Sequence, residues 1–551
     1  MKVIYKSIYI VALFSATLLT SCLNRLDLDP IDPNEDTNIS TPEDYFAYLT
    51  KLYAGLSNTG QNGGDGDLGG ADPGATQYWR VFWNAQEFPT DEVVNSWTDE
   101  GAPDMSYMTW SANNPFVLGM YNRIYYQISA TNEFLRKSAD LKLEDLPDWK
   151  EDENGDKPVY ATEEQEQWIA EARYLRAYSY WHALDFFGNK VPFVTEEDPI
   201  GSFMPMPAGT DERGPELFNY VMEELEYLVS AESKLPAIRQ AWLGRADKGA
   251  ALMLLSKLYL NHEVYLGNKV AGYYEKGREH LSRLINEGGY SLYTQAETEN
   301  YSAYQSLFMA DNEKTASEVI FMIMSDSRSM RHWGGTTYLI AAGIGGDMDA
   351  QAQGINSGWG GNRATPTMVD NMELRGGDDR VMFAREDEGQ SKEIDNSAEF
   401  QQGYGVKKWN NLQQNGTKKN ETEGVFTDTN IPVFRLADAY LMLAEFDLRI
   451  EGSVSGVAKT YVDAILERAD ANPVSSINLD FILDERGREL YWEGHRRTDL
   501  IRFGKYTKDM NWSFKGGSPS GVPNLSDHLE LYPIPAADLG ANTNLSQNAG
   551  Y

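Results

Sequence analysis

One stretch constrains the fold of this chain more than any other: Asp484-Glu-Arg-Gly-Arg-Glu-Leu-Tyr-Trp-Glu-Gly-His-Arg-Arg-Thr-Asp-Leu-Ile-Arg-Phe-Gly-Lys505. Leu483, Gly487, Leu490, Gly494, Thr498 and Ile501 recur at steps of three and four, the spacing of one helix face. Each glycine costs a helix interior roughly 1 kcal/mol against alanine, so two of them predict a neighbouring element in close approach. On the flanks, Asp484 with Arg488, Glu493 with Arg497 and His495 with Asp499 stand four apart and can attract, the histidine pair only when protonated. Glu489 and Glu493 repel at the same spacing unless an arginine from elsewhere lies between them. The pattern predicts a helix buried on several sides with its ions paired. Glu493 and His495 admit a catalytic reading, but a structural keystone explains the whole stretch, and no catalytic residue is assigned.

At 551 residues, 41% hydrophobic and 24% charged, the chain has enough apolar material for two to four domain-sized units or one large repeat-built domain. A net charge of −35 excludes general nucleic-acid binding, because a phosphate backbone would be repelled. The 32 Tyr, 21 Phe and 13 Trp exceed the needs of a core and point to stacking surfaces for sugars or peptides.

The single cysteine bears on location. Lys2 and Lys6 flank the start of an apolar run, residues 8–19, that is too short to span a bilayer. Leu19-Thr-Ser-Cys22 follows, a small-residue cleavage site with cysteine after it, as in bacterial lipoprotein signals. Cleavage would leave Cys22 at the N-terminus for lipidation, and several acyl chains anchor stably where one is marginal. No thiol would then remain, which excludes disulfides and thiol catalysis. No later apolar run is long enough to cross a membrane, so the expectation is a lipid-anchored protein that does not span.

Four segments are expected: a signal peptide at 1–21, an acylated tether at 22–42, a helical N-terminal region at 43–290, and a C-terminal region with inserted loops at 291–551. Thr41 is placed to cap a helix with Pro42 at its first position. Residues 58–74 are too rich in glycine for a helix. Helices are expected over 122–138, 162–187, 214–230, 246–266, 273–287, 437–451 and 456–469. That at 162–187 opens on a Thr162/Gln165 capping box and stops at Gly188, with Pro192 barring continuation. The paired helices resemble degenerate tetratricopeptide-type hairpins, with Ala246, Ala250, Ala437 and Ala444 suited to close packing. Between about 290 and 432 the helical period fades into glycine-rich loops. An irregular region that long points to function.

Several segments together resemble the RagB/SusD family of outer-membrane nutrient-binding lipoproteins. They are Leu19-Thr-Ser-Cys22, Glu171-Ala-Arg-Tyr-Leu-Arg-Ala-Tyr-Ser-Tyr-Trp181 with Phe187-Gly-Asn-Lys-Val-Pro192, Arg435-Leu-Ala-Asp-Ala-Tyr-Leu-Met-Leu-Ala-Glu445, the 485–502 stretch, and Tyr532-Pro-Ile-Pro535 with Gln547-Asn-Ala-Gly-Tyr551. The resemblance implies an all-α, SusD-like fold in which tetratricopeptide-like hairpins carry a loop-rich ligand face. It also implies capture of glycans without cleavage, on the cell exterior, as a lid over a SusC-like TonB-dependent transporter.

Aromatic rings stack on sugar faces, while Arg, Asp and Asn hydrogen-bond to paired hydroxyls. Three stretches offer that mixture on expected loops: 72–84, 91–104, and 331–338 with the loop around Trp359. Asp72, Arg80 and Trp97 are similar to residues that grip the glucan in the family's starch-binding member. Glu100 stands where that member has an asparagine. Trp83, Trp333 and Trp359 complete the candidate glycan-binding set.

Metal and enzyme readings are weaker. The six histidines lack ligand spacing, and no metal site or cofactor is expected. Asp347 and Asp349 could meet calcium but without a full ligand set. The expected ligand is a starch-type α-glucan. The alternatives are a β-glucan such as laminarin, a peptide, or a lipid-anchored glycoside hydrolase using Asp99 and Glu100.

Overall fold

The computed structural model describes residues 39–60, 66, 68, 74–146, 162–199, 204–208, 217–420 and 422–551. The signal segment, Cys22, most of the tether and Asp72 lie outside the described residues. Contacts group the chain into two units. Of the first, residues 1–47 and 143–160, the described part is a turn at Leu143–Asp145 and the start of helix α1 (Pro42–Ser57). There the expected cap forms: Asp44 N donates to Thr41 Oγ1 (3.1 Å) and Thr41 N donates back to Asp44 Oδ2 (2.9 Å). Two otherwise orphaned donors are satisfied at once.

The second unit holds residues 48–142 and 161–551, so position 290 falls inside it. Its main helices are α2 (Tyr78–Glu87), α3 (Pro115–Asp140), α4 (Thr162–Phe187), α5 (Leu217–Val229), α6 (Lys248–Leu260) and α7 (Tyr273–Glu287). Further along come α8 (Gly335–Gly343), α9 (Pro366–Glu373), α10 (Leu436–Glu451), α11 (Gly456–Arg468), α12 (Leu479–Leu490) and α13 (Arg496–Arg502). Each of α3 to α6 packs on the next, α7 on α10, and α10 on α11. This succession is compatible with stacked tetratricopeptide-type hairpins. Ala246, Ala250, Ala437 and Ala444 are fully buried, as close helix packing requires. Gln165 Nε2 donates to Leu141 O (2.6 Å), tying α4 to the end of α3; the Thr162 side chain of the expected capping box lies outside the described residues.

The 290–432 region is less irregular than its sequence. It contributes α8, α9 and short strands, of which β3 (Asn362–Ala364) pairs with β1 (Val93–Asn95) from the N-terminal region and with β5 (Tyr404–Val406), and β5 pairs in turn with β4 (Phe383–Ala384), all antiparallel. A second pair joins β2 (Val319–Ile323) to β6 (Ile431–Arg435). Strands this short carry too few alternations for a period of two to show.

The keystone stretch is two helices rather than one. α12 ends at Leu490, and the backbone turns through Trp492 (φ +63°) and Gly494 (φ +79°) before α13 begins. Gly494 is needed twice over: its φ is left-handed, and a Cβ there would stand 2.6 Å from the Phe82 ring of α2. A Cβ at Gly487 would meet Arg496 Nη1 at 2.9 Å, so both glycines do mark close approach. The break also redirects the expected ion pairs. Glu493 bonds Lys408 Nζ (2.6 Å) rather than Arg497, Arg497 turns to Asp185 (3.1 Å), and Arg488 takes Glu485 (2.8 Å).

The arginine required between Glu489 and Glu493 is Arg435, from the end of β6. It donates to Glu489 Oε1 (3.0 Å), to Glu493 Oε1 (2.6 Å) and Oε2 (2.7 Å), and to Glu318 Oε1 (2.8 Å). Arg468 and Arg380 close on Glu489 from the other sides. Burial alone would raise the Glu489 pKa, but Arg468, Arg435 and Arg380 overcome it and hold the carboxyl at about 2. Nearby, Arg497 donates to Glu530 O (2.5 Å), and Tyr532 OH donates to Ala85 O (2.8 Å), which binds the C-terminal tail to α13 and α2.

Candidate functional site

From Tyr78 onward the first candidate stretch is a helix, not a loop. Every residue of α2 is buried. Gln77 starts it: its Oε1 accepts from Arg80 N (2.8 Å) and from Gly335 N (3.0 Å), and its Nε2 donates to Leu56 O and Ser57 O (3.0 Å each). One amide therefore caps α2 and pins the turn that carries Trp333 against it. The helix spends its aromatic rings on the core. Trp83 is fully buried, donates Nε1–H to Trp492 O (3.0 Å), and is enclosed by Phe88, Tyr338 and Trp492. No face of its ring is left for a ligand, so Trp83 is withdrawn from the candidate set. Trp110 is likewise buried, with its indole N–H donated to Tyr551 OH (2.7 Å).

Trp97 is half-buried just after β1, and a run of amides fixes it. Tyr338 OH donates to Asn84 Oδ1 (2.7 Å) and accepts from Asn362 Nδ2 (3.1 Å). Asn95 Nδ2 donates to Asn362 Oδ1 (2.6 Å), its partner in register across β1 and β3, while Asn95 Oδ1 accepts from Trp97 N (2.8 Å). Trp97 Nε1 reaches Trp359 O (3.5 Å), and Gly361 leaves room for the indole, which lies 2.6 Å from where a Cβ would stand. Trp359 is itself held by its N–H to Ala341 O (2.7 Å) at the end of α8.

Trp333 completes the group. Its ring lies 6.0 Å from Trp359 and 4.6 Å from Phe426, centroid to centroid, and all three are half-buried. Arg80 ties the pieces together: Nη1 donates to Trp333 O (3.1 Å), and the guanidinium sits 4.5 Å over Tyr338 and 5.9 Å over Trp97. Such cation–π contacts stabilise by about 0.5–2 kcal/mol each. Arg80 is only 3% exposed, so its main part is to hold the rings. Beside the arc, burial holds the His332 pKa down to about 4, so that imidazole is neutral at physiological pH.

The structure thus brings Arg80, Trp97, Trp333 and Trp359 together and leaves Trp83 in the core. Glu100 is exposed on the turn before the short helix Ala102–Tyr107. Asp72 lies outside the described residues. Phe426 and the platform role of Tyr338 were not read from the sequence: Phe426 is an isolated aromatic in a glycine- and threonine-rich loop, with no periodicity to mark it. Trp97, Trp333, Trp359 and Phe426 are thus all only partly buried, and aromatic rings are the chemistry that receives the apolar face of a sugar ring.

The model of the SusD family matches residues 385–551. Across the whole length, the chain is 32% identical to the starch-binding protein SusD of Bacteroides thetaiotaomicron, with 99% of this chain and 100% of that protein covered. It belongs to the SusD family. A SusD-like protein of Bacteroides ovatus is 25% identical over 69% of this chain and 73% of its own length. Among solved structures, surface glycan-binding protein A of Bacteroides fluxus superposes with a TM-score of 0.67 at 20% identity, covering 93% of this chain and all of that one. A laminarin-binding SusD-like protein gives 0.65 at 22% identity, over 93% of this chain and 100% of its own. At those identities the likeness is one of fold, and it confirms the mostly helical SusD-like architecture expected from the sequence.

Proposed function

We propose that this SusD-family chain is a non-catalytic glycan-binding lipoprotein, anchored through Cys22 to the outer membrane and facing the cell exterior. In this reading residues 1–21 are removed, 22–42 act as tether, and 43–290 and 291–551 together carry the fold. The ligand is a starch-type α-glucan, handed to a SusC-like TonB-dependent transporter. Among the described residues no helix is long and apolar enough to cross a membrane, in keeping with a lipid anchor. The observation that supports the glycan reading most is the convergence of Trp97, Trp333, Trp359 and Phe426 on one half-exposed arc, with Arg80 beneath it. The rings stack on successive sugars, Arg80 offers at most an N–H edge, and Asp72 and Glu100 add hydroxyl contacts from the rim. No cofactor is required.

The starch choice rests on the full-length relative, whose name records starch binding. A β-glucan is the second reading, because one solved structure of the same fold is a laminarin-binding SusD-like protein and another is a surface glycan-binding protein in complex with laminarihexaose. Native gels cast with amylopectin or with laminarin separate the two: retardation by amylopectin alone supports the first, by laminarin alone the second. Release of reducing ends on prolonged incubation would overturn the non-catalytic reading and direct attention to Asp99 and Glu100.

A further inference from the structure

The loop 230–247, between α5 and α6, holds a tryptophan out of the fold. Trp242 is 73% exposed and its neighbour Leu243 is 42% exposed, the indole being the most exposed large apolar side chain among the described residues. The loop is nevertheless tightly built. Asp247 Oδ1 caps α6 by accepting from Gly249 N (2.8 Å) and Ala250 N (3.1 Å), and its other oxygen accepts from Arg239 N. Lys248 N donates to Pro236 O (2.9 Å), and Arg245 N donates to Trp242 O (2.9 Å) to close a turn over residues 242–245. Gly244 makes that turn possible: its φ is +87°, and the space a Cβ would take is filled by Met324 (2.6 Å).

Fixing such a loop while leaving the indole in water forgoes the usual gain from burying it. The arrangement resembles that of the aromatic arc. Arg245 stands 5.8 Å over the Trp242 ring, against 5.9 Å for Arg80 over Trp97. Its guanidinium is immobilised by Glu171 at 2.9 and 2.5 Å, and Glu171 is also bonded by Tyr53 OH (2.6 Å). Beside the indole opens a cavity of about 190 Å³ lined by Arg239, Tyr290, Ala241 and the β2 residues from Val319 to Met322. That volume equals roughly six liquid waters at about 30 Å³ each, enough for the edge of one sugar ring. Arg239 spans the rim, with Nη1 donating to Gly289 O (2.6 Å) and the guanidinium 5.3 Å over Tyr290.

We infer that Trp242, with Arg239 and the cavity behind it, is a second carbohydrate-binding site, one that stacks a single pyranose unit on the indole and directs its hydroxyls to Arg239 and Tyr290. The inference rests on the reading that the ligand of this chain is a glycan. It adds a contact point for a polymer already held at the arc.

Fluorine NMR on full-length processed protein carrying 5-fluorotryptophan tests it, with maltoheptaose and laminarihexaose as probes and the Trp242 resonance assigned from Trp242→Phe. The expected result is a saturable shift of the Trp242 resonance that persists in Trp97→Ala, with Trp242→Ala binding amylopectin roughly tenfold more weakly. Exposed as it is, Trp242 can be replaced without unfolding, and circular dichroism checks this. Shifts at Trp97 and Trp333 with a Trp242 resonance that never moves would overturn the second site and leave the arc intact. A shift at Trp242 alone would uphold it and sink the arc. No shift at any tryptophan with either sugar would overturn both.

Discussion

The ionic cluster around Glu489 and the aromatic arc around Trp333 are built from similar residues and do opposite things with them. In the cluster, Arg435, Arg468 and Arg380 are enclosed, and each carboxylate is met from more than one side. In the arc, Arg80 is equally enclosed, but the rings it supports keep a half-open face. Buried charge is costly to expose and costly to leave unpaired, so a satisfied cluster fixes geometry and cannot accept a ligand. Rings that are held from one side and open on the other have binding energy still to give. Trp83 and Trp97, both in the segment that runs from α2 past β1, show the same division, since Trp83 has every face packed and Trp97 does not.

That contrast can be broken or sharpened in order of expected effect. Arg435→Ala leaves three carboxylates buried without their shared partner and should cost about 5 kcal/mol or prevent folding, read from urea unfolding. Trp83→Ala empties a core position and should cost about 3–5 kcal/mol; a loss of glycan binding with unchanged melting would instead place Trp83 in the site. Glu493→Ala should cost about 3 kcal/mol, because Lys408 and Arg435 lose a partner, while the fraction still folded binds glycan as before.

The cluster also sets acid stability. The Glu489 carboxyl is depressed in the fold relative to the unfolded chain, so its contribution is complete above the ordinary carboxylate range near 4.5 and is lost as pH falls through about 2. Glu87 behaves in the opposite sense. Burial raises it, and its hydrogen-bonded neighbour Glu92 is raised with it, so the contribution of the pair declines as pH rises above the ordinary carboxylate range near 4.5. Melting temperature followed from pH 2 to 8 should climb steeply at the acid end, and Glu87→Gln should flatten the decline above pH 4.5. At the small end of the scale, Trp97→Ala should weaken glycan binding roughly tenfold, about 1.4 kcal/mol, with little change in melting.

Much of this was legible in the sequence, for identifiable reasons. Long helices such as α4 and α7 declare themselves by period and termini, and the crowding of Glu489 and Glu493 demanded an arginine that Arg435 supplies. The break at Trp492 was hidden because Gly494 continues the apolar period that it interrupts in space. At the site, Trp97, Trp333 and Trp359 were named from composition and resemblance. Which tryptophans face outward depends on packing between segments more than two hundred residues apart, and spacing along one segment carries none of that. Trp83 was misplaced for this reason, and Phe426 was missed for the same one.

The central claim, that the cluster holds the fold and the arc holds the ligand, is tested most directly by measuring both properties on Trp97→Ala and Glu493→Ala side by side. Affinity electrophoresis in amylopectin or laminarin, whichever retards the wild type, should show Trp97→Ala migrating faster than wild type while its melting temperature falls far less than that of Glu493→Ala. Glu493→Ala should melt lower yet be retarded as wild type when run below its transition. Retardation of Trp97→Ala equal to wild type, or a Glu493→Ala variant that melts normally and no longer binds, would contradict the account.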